Sequence, residues 1–140
     1  MSLEYVCNED MKVSFSNNAG PPDIVYTGDV GIDPVSVVPT KSTHCKALNK
    51  YVCTQSVTIT WSAALPCPHT SATHTFVSGA ATIAPSTTKV KADTQLVLRF
   101  GDASTVGCIG SWTNNSTGAT VVCSCGCEIS DAGQDKVKAQ

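Results

Sequence analysis

The sequence predicts a small all-β single domain, and three observations carry that prediction. Short segments alternate apolar and polar residues with a period of two, helical periodicity is almost absent, and clusters of Gly, Pro, Asn and Ser punctuate the alternating stretches. Ser56-Val57-Thr58-Ile59-Thr60-Trp61 sets Val57, Ile59 and Trp61 on one face and its threonines on the other, as a half-buried strand requires. Residues 96–100 alternate likewise and stop at Gly101-Asp102, and Lys89-Val90-Lys91-Ala92 just before them makes Asp93-Thr94 a hairpin turn. Residues 17–22 and 113–118 are loops by composition. Residues 47–52 offer one helical turn, too short to hold itself as an isolated helix. Lys-Val-Lys-Ala at 89–92 recurs at 136–139, each copy behind a turn-rich lead-in, as a duplicated β-unit would give.

At 140 residues the chain suits one domain able to bury roughly two-thirds of its unfolded surface. Only 14% of residues are charged, and nearly a quarter are Ser or Thr, so hydroxyls take over much of the solvating role. The net charge of −2 gives no electrostatic reason for a nucleic-acid partner, which would need a clustered surplus of Lys and Arg. The first residues lack both the basic start and the apolar stretch of a secretory peptide. No apolar run approaches the ~20 residues of a membrane-spanning helix. The expectation is therefore a soluble chain made in the cytoplasm, where cysteines stay reduced and a Cys/His set points to metal.

The chain holds eight cysteines and three histidines. Cys67-Pro68-His69 and His74 share one loop ahead of the strand that begins near Thr75, with Pro66 and Pro68 keeping Cys67 extended. A tetrahedral divalent-ion site needs four N or S donors. His44, His69 and His74 supply imidazoles, and Cys45, Cys67 and Cys108 are the thiolate candidates. Cys123, Cys125 and Cys127 alternate in a strand, their thiols on one face roughly 7 Å apart, which suits small buried residues or disulfide partners better than one metal. Two other classes remain open: a secreted, disulfide-bonded binding or adhesion domain, and a thiol hydrolase with Cys67 or Cys108 as nucleophile and His69 or His74 as base. No nucleophile elbow or phosphate loop accompanies the latter.

The order Cys67-Pro68-His69, Gly79-Ala80, Lys89-Val90-Lys91-Ala92-Asp93, Leu96-Val97-Leu98-Arg99-Phe100-Gly101-Asp102, Cys108 resembles the PAAR-repeat proteins. The closing stretch from Cys125 through Glu128-Ile129-Ser130 and Ala132-Gly133 to Gln134 is similar to that of PAAR-like relatives. The similarity covers about the last half of the chain. The Pro-Ala-Ala-Arg tetrapeptide is replaced by Gln95-Leu96-Val97-Leu98-Arg99, and residues 1–40 are unassigned.

The resemblance implies a pointed, metal-stabilised β tip over residues 41–140, monomeric on its own. It would cap a trimeric β-helical spike of a phage tail, type VI secretion apparatus or related contractile injection machine, and touch the target membrane only transiently. It also implies one zinc or iron ion held by three histidines and a cysteine. Carried over, His69 and Cys108 fall on motif positions, His44 and His74 complete the imidazole count, and Cys67 is the fallback thiolate, its closeness to His69 making joint ligation awkward. The strands around Val90 and Val137 are expected to contribute to the base that meets the spike, by strand addition.

Overall fold

The computed structural model describes residues 3–17, 20–27, 40–61, 67–104 and 108–140, with Cys108 described by its backbone alone. Pro66 lies outside these residues. The described chain is all-β, without a helix. Its strands are β1 (Glu4–Tyr5), β2 (Lys12–Asn17), β3 (Val25–Tyr26), β4 (Thr40–Ala47), β5 (Lys50–Thr54), β6 (Val57–Trp61), β7 (His69–Thr70), β8 (His74–Ile83), β9 (Lys91–Ala92), β10 (Gln95–Leu96), β11 (Cys108–Asn114), β12 (Thr120–Asp131) and β13 (Lys138–Ala139). Among the described residues, an antiparallel sheet of five strands, in the order β2-β12-β11-β8-β6, forms the larger part, beside four two-stranded ribbons.

Alternation places the main core. Val57, Ile59 and Trp61 are buried and Thr58 and Thr60 exposed, as the sequence pattern requires. Cys123, Cys125, Cys127 and Ile129 of β12 turn the same way, and Trp112 joins them from β11, all in one cluster. The loop expected at residues 113–118 is the β11–β12 turn, capped by Asn114, whose side-chain oxygen accepts from the amides of Ser116 and Thr117.

Three of the four ribbons form a repeat that occurs three times among the described residues. Ribbons β4–β5, β9–β10 and β13–β1 each pair a Lys-Ala strand with a strand leading into a valine. Ala47 faces Lys50, Ala92 faces Gln95 and Ala139 faces Glu4, one step before Lys46–Tyr51, Lys91–Leu96 and Lys138–Tyr5. Five residues ahead of each alanine a buried side-chain oxygen caps the lead-in. The Ser42 hydroxyl accepts from the amides of His44 and Cys45, that of Thr87 from Lys89 and Val90, and the Gln134 amide oxygen from Lys136 and Val137. The two copies of Lys-Val-Lys-Ala are thus two of three units, and His44-Cys45-Lys46-Ala47 is the third.

The units close into a ring. The Cys7 amide donates to the Leu98 carbonyl (2.9 Å), Leu98 to Cys53 (3.0 Å) and Cys53 back to Cys7 (2.9 Å). One step outward, Phe100 donates to Tyr5, Glu9 to Tyr51 and Gln55 to Leu96. The bridges Val6–Arg99, Asn8–Val52 and Thr54–Val97 repeat the same threefold order. Val6, Val52 and Val97 pack with Ala47, Ala92 and Ala139 in a second core, with Val90 against it, while Cys7, Cys53 and Leu98 belong to the main core. Strands of the ring are therefore buried on both faces, which is why the alternation read into residues 96–100 fails: Val97 and Leu98 are both inside.

Two further expectations change. Residues 47–52 make a hairpin, not a helical turn: Leu48 and Asn49 have φ of 50° and 65°, matching Asp93 and Thr94 at 51° and 70°. The Arg99-Phe100-Gly101-Asp102 motif is a tight turn in which buried Asp102 accepts from the Arg99 amide (2.9 Å) and the Ser86 hydroxyl. The Arg99 guanidinium reaches the Ala139 carbonyl (3.2 Å), tying two repeats together.

Candidate metal centre

Three donor side chains converge in the main core: Cys67, His69 and Cys123, all buried, their ligand atoms within 4.8 Å of one another. The local fold explains how residues two apart in sequence reach one point. The His69 amide donates to the Cys67 carbonyl (2.6 Å), closing a three-residue turn over Pro68, whose fixed φ near −65° suits that turn. Joint ligation, expected to be awkward, is thereby made easy: Cys67 Sγ and His69 Nδ1 stand 3.6 Å apart. Strand β7 then pairs with β3, and the Tyr26 ring meets the His69 ring edge-on at 5.5 Å.

Cys123 arrives from β12, with its Sγ 3.7 Å from that of Cys67. Zinc–sulfur bonds of about 2.3 Å and zinc–nitrogen bonds of about 2.0–2.1 Å at tetrahedral angles give S–S and S–N edges of about 3.8 and 3.6 Å. The observed separations match both edges. The Trp112 indole N–H donates to Cys123 Sγ (3.0 Å), and the Phe76 ring steadies Trp112 edge-on. Room for the two sulfurs comes from Gly110, directly opposite Cys123 in the β11–β12 register. A Cβ there would lie 2.6 Å from Cys67 Sγ and 2.9 Å from Cys123 Sγ.

The electrostatics prepare a thiolate. Cys123 is held well below the ordinary thiol range, first by the hydrogen bond from Cys67 and then by His69 and Trp112, against the opposing effect of burial. Cys67 is pushed up, because it supplies the proton in that bond and is buried. One thiol and one thiolate side by side become two thiolates when a cation replaces the shared proton.

Of the residues expected from the sequence, the described side chains bring two to this cluster. His69 and Cys67 are in the cluster; His44 and His74 are not. His44 occupies the repeat position held by Lys89 and Lys136 in the other units. Its side chain is 81% exposed and its Nδ1 pairs with Asp93 at 2.9 Å. His74 is buried at the start of β8, where Nδ1 meets the Thr73 hydroxyl at 2.8 Å and the Ser71 hydroxyl at 3.4 Å. The Cys108 backbone pairs with Cys125 beside the cluster, and its side chain lies outside the described residues. Cys45 is exposed. The seven described cysteines, including Cys123, Cys125 and Cys127, are free thiols. Cys123 is the candidate ligand that the sequence did not single out, and the signal for it was the glycine opposite.

Comparison with protein-family models, curated proteins and solved structures finds no significant match.

Proposed function

We propose that this protein is a structural, metal-clamped cap seated on the end of a trimeric β-helical spike in a contractile injection machine. There it stiffens the tip that meets the target membrane. The threefold ring is the observation that carries this reading. A single chain placed on the axis of a trimer meets three identical surfaces, and it satisfies all of them only by presenting its own contacts three times. The ring does so with three Lys-Ala ribbons whose exposed lysines, Lys46, Lys91 and Lys138, repeat in register. This extends the base expected around Val90 and Val137 to a third segment around Cys45.

The metal centre supports the same reading from the other core. Cys67 and His69 come from a short turn and Cys123 from the central sheet, so an ion there would clamp that turn to the sheet. Two thiolates and one imidazole suit zinc, and iron is the second arm of the test.

The test is to mix the purified chain with a trimeric β-helical spike protein from the same genome and follow size exclusion. Co-elution is expected, and the triple variant Lys46→Glu, Lys91→Glu, Lys138→Glu is expected to lose it while keeping its metal. Separate elution of the parent chain and the spike would contradict the reading.

A further inference from the structure

The ring holds two buried thiols that the metal cluster does not use. Cys7 and Cys53 are fully buried and belong to the same core cluster. Their backbones are hydrogen-bonded neighbours. The Cys53 amide donates to the Cys7 carbonyl (2.9 Å) and the Glu9 amide to the Tyr51 carbonyl (3.0 Å), the two bonds that frame the antiparallel Asn8–Val52 bridge. One step from that bridge, Cys7 and Cys53 stand directly opposite each other, on the face away from Val6 and Val52. They share one backbone bond, since the Cys7 amide goes to Leu98 and the Cys53 carbonyl accepts from it, and strand neighbours joined in this way lie within reach of a disulfide, whose Cα atoms usually stand about 4.4–6.8 Å apart.

We propose that Cys7 and Cys53 form a disulfide when the chain folds in an oxidising medium, stapling two of the three ring strands. The symmetry leaves no competitor inside the ring, because the third equivalent position is Leu98. Burial raises both thiols, Cys53 to about 12, and each is shut away from solvent. The folded, reduced ring is therefore inert to oxidants, and the bond forms during folding.

With a small-molecule disulfide such as oxidised glutathione as oxidant, one thiolate attacks it and releases one glutathione thiol. The second protein thiolate then displaces the other, so two protein thiols lose two protons and two electrons while one glutathione disulfide becomes two thiols. The consequence is a covalent join between the segment around Cys7 and the hairpin of β5, in a ring otherwise closed by non-covalent contacts alone among the described residues.

The experiment refolds the full chain from denaturant, with either a glutathione redox buffer or excess reductant. Free thiols are alkylated, and before mass spectrometry the chain is cleaved with trypsin, which parts Cys7, Cys45 and Cys53, and after Trp61, which parts Cys53 from Cys67. One cross-linked peptide pair joining Cys7 to Cys53 is expected, together with a melting temperature several degrees above that of the reduced chain. Cys53→Ser, or Cys53→Val should the serine variant fail to fold, removes the difference. Alkylated Cys7 and Cys53 after oxidative refolding, or their linkage to other cysteines, would overturn the proposal.

Discussion

Gly110 and Cys123 together define the candidate metal centre at the level of single residues. Gly110→Ala would drive a methyl group between two sulfurs, and overpacking of that kind costs about 1–3 kcal/mol. The variant should purify without metal, as elemental analysis would register. His69→Ala should also lose the ion and melt lower, by more than the ±0.5 kcal/mol or so of an ordinary surface change. The thiol pair gives metal-free protein a pH signature. Cys123, lowered on folding, contributes stability above the ordinary thiol value, about 8.5, that drains as pH falls below it. Cys67, raised on folding, contributes stability present below that value and lost as pH rises. Relative to a Cys67→Ser, Cys123→Ser double variant, urea stability should therefore peak near about pH 8.5 and fall on both sides; a flat difference would remove the hydrogen-bonded pair. Residue types alone pointed to Cys67 and His69. They could not separate His44 from them, because its role is set by a repeat position that only the third ribbon reveals.

Secondary elements were legible wherever a strand has one wet face and one dry face. The strand Val57–Trp61 follows its alternation residue by residue, and so do the three buried thiols of β12. Legibility ends where a strand separates two cores, as at Val97-Leu98, and where turn residues carry no turn signature. Leu48-Asn49 is such a turn, with a leucine at positive φ, whereas Asp93-Thr94 was legible as the hairpin turn it makes, its aspartate being a type that favours positive φ. Thr94, β-branched at a φ of 70°, is strained. Thr94→Gly should accordingly raise stability by about 1 kcal/mol, read as a shift in denaturation midpoint, and an unchanged or lowered midpoint would show that the threonine side chain compensates.

For the whole molecule, the decisive feature is that one chain imitates a trimer. Half of that was visible in advance, as two copies of Lys-Val-Lys-Ala. The third copy was hidden because His44-Cys45 replaces Lys-Val and because one unit is assembled from residues 134–140 and 4–7, far apart in sequence. Truncation at a ring valine should be felt by all three units. Val52→Ala should cost about 1–3 kcal/mol through the small core it shares with Val6 and Val97. The most direct test of the account is a native mass spectrum of the chain bound to a trimeric spike. The account predicts three spike chains, one copy of this protein and one metal ion in a single complex; a bare trimer, or three copies on one trimer, would contradict it.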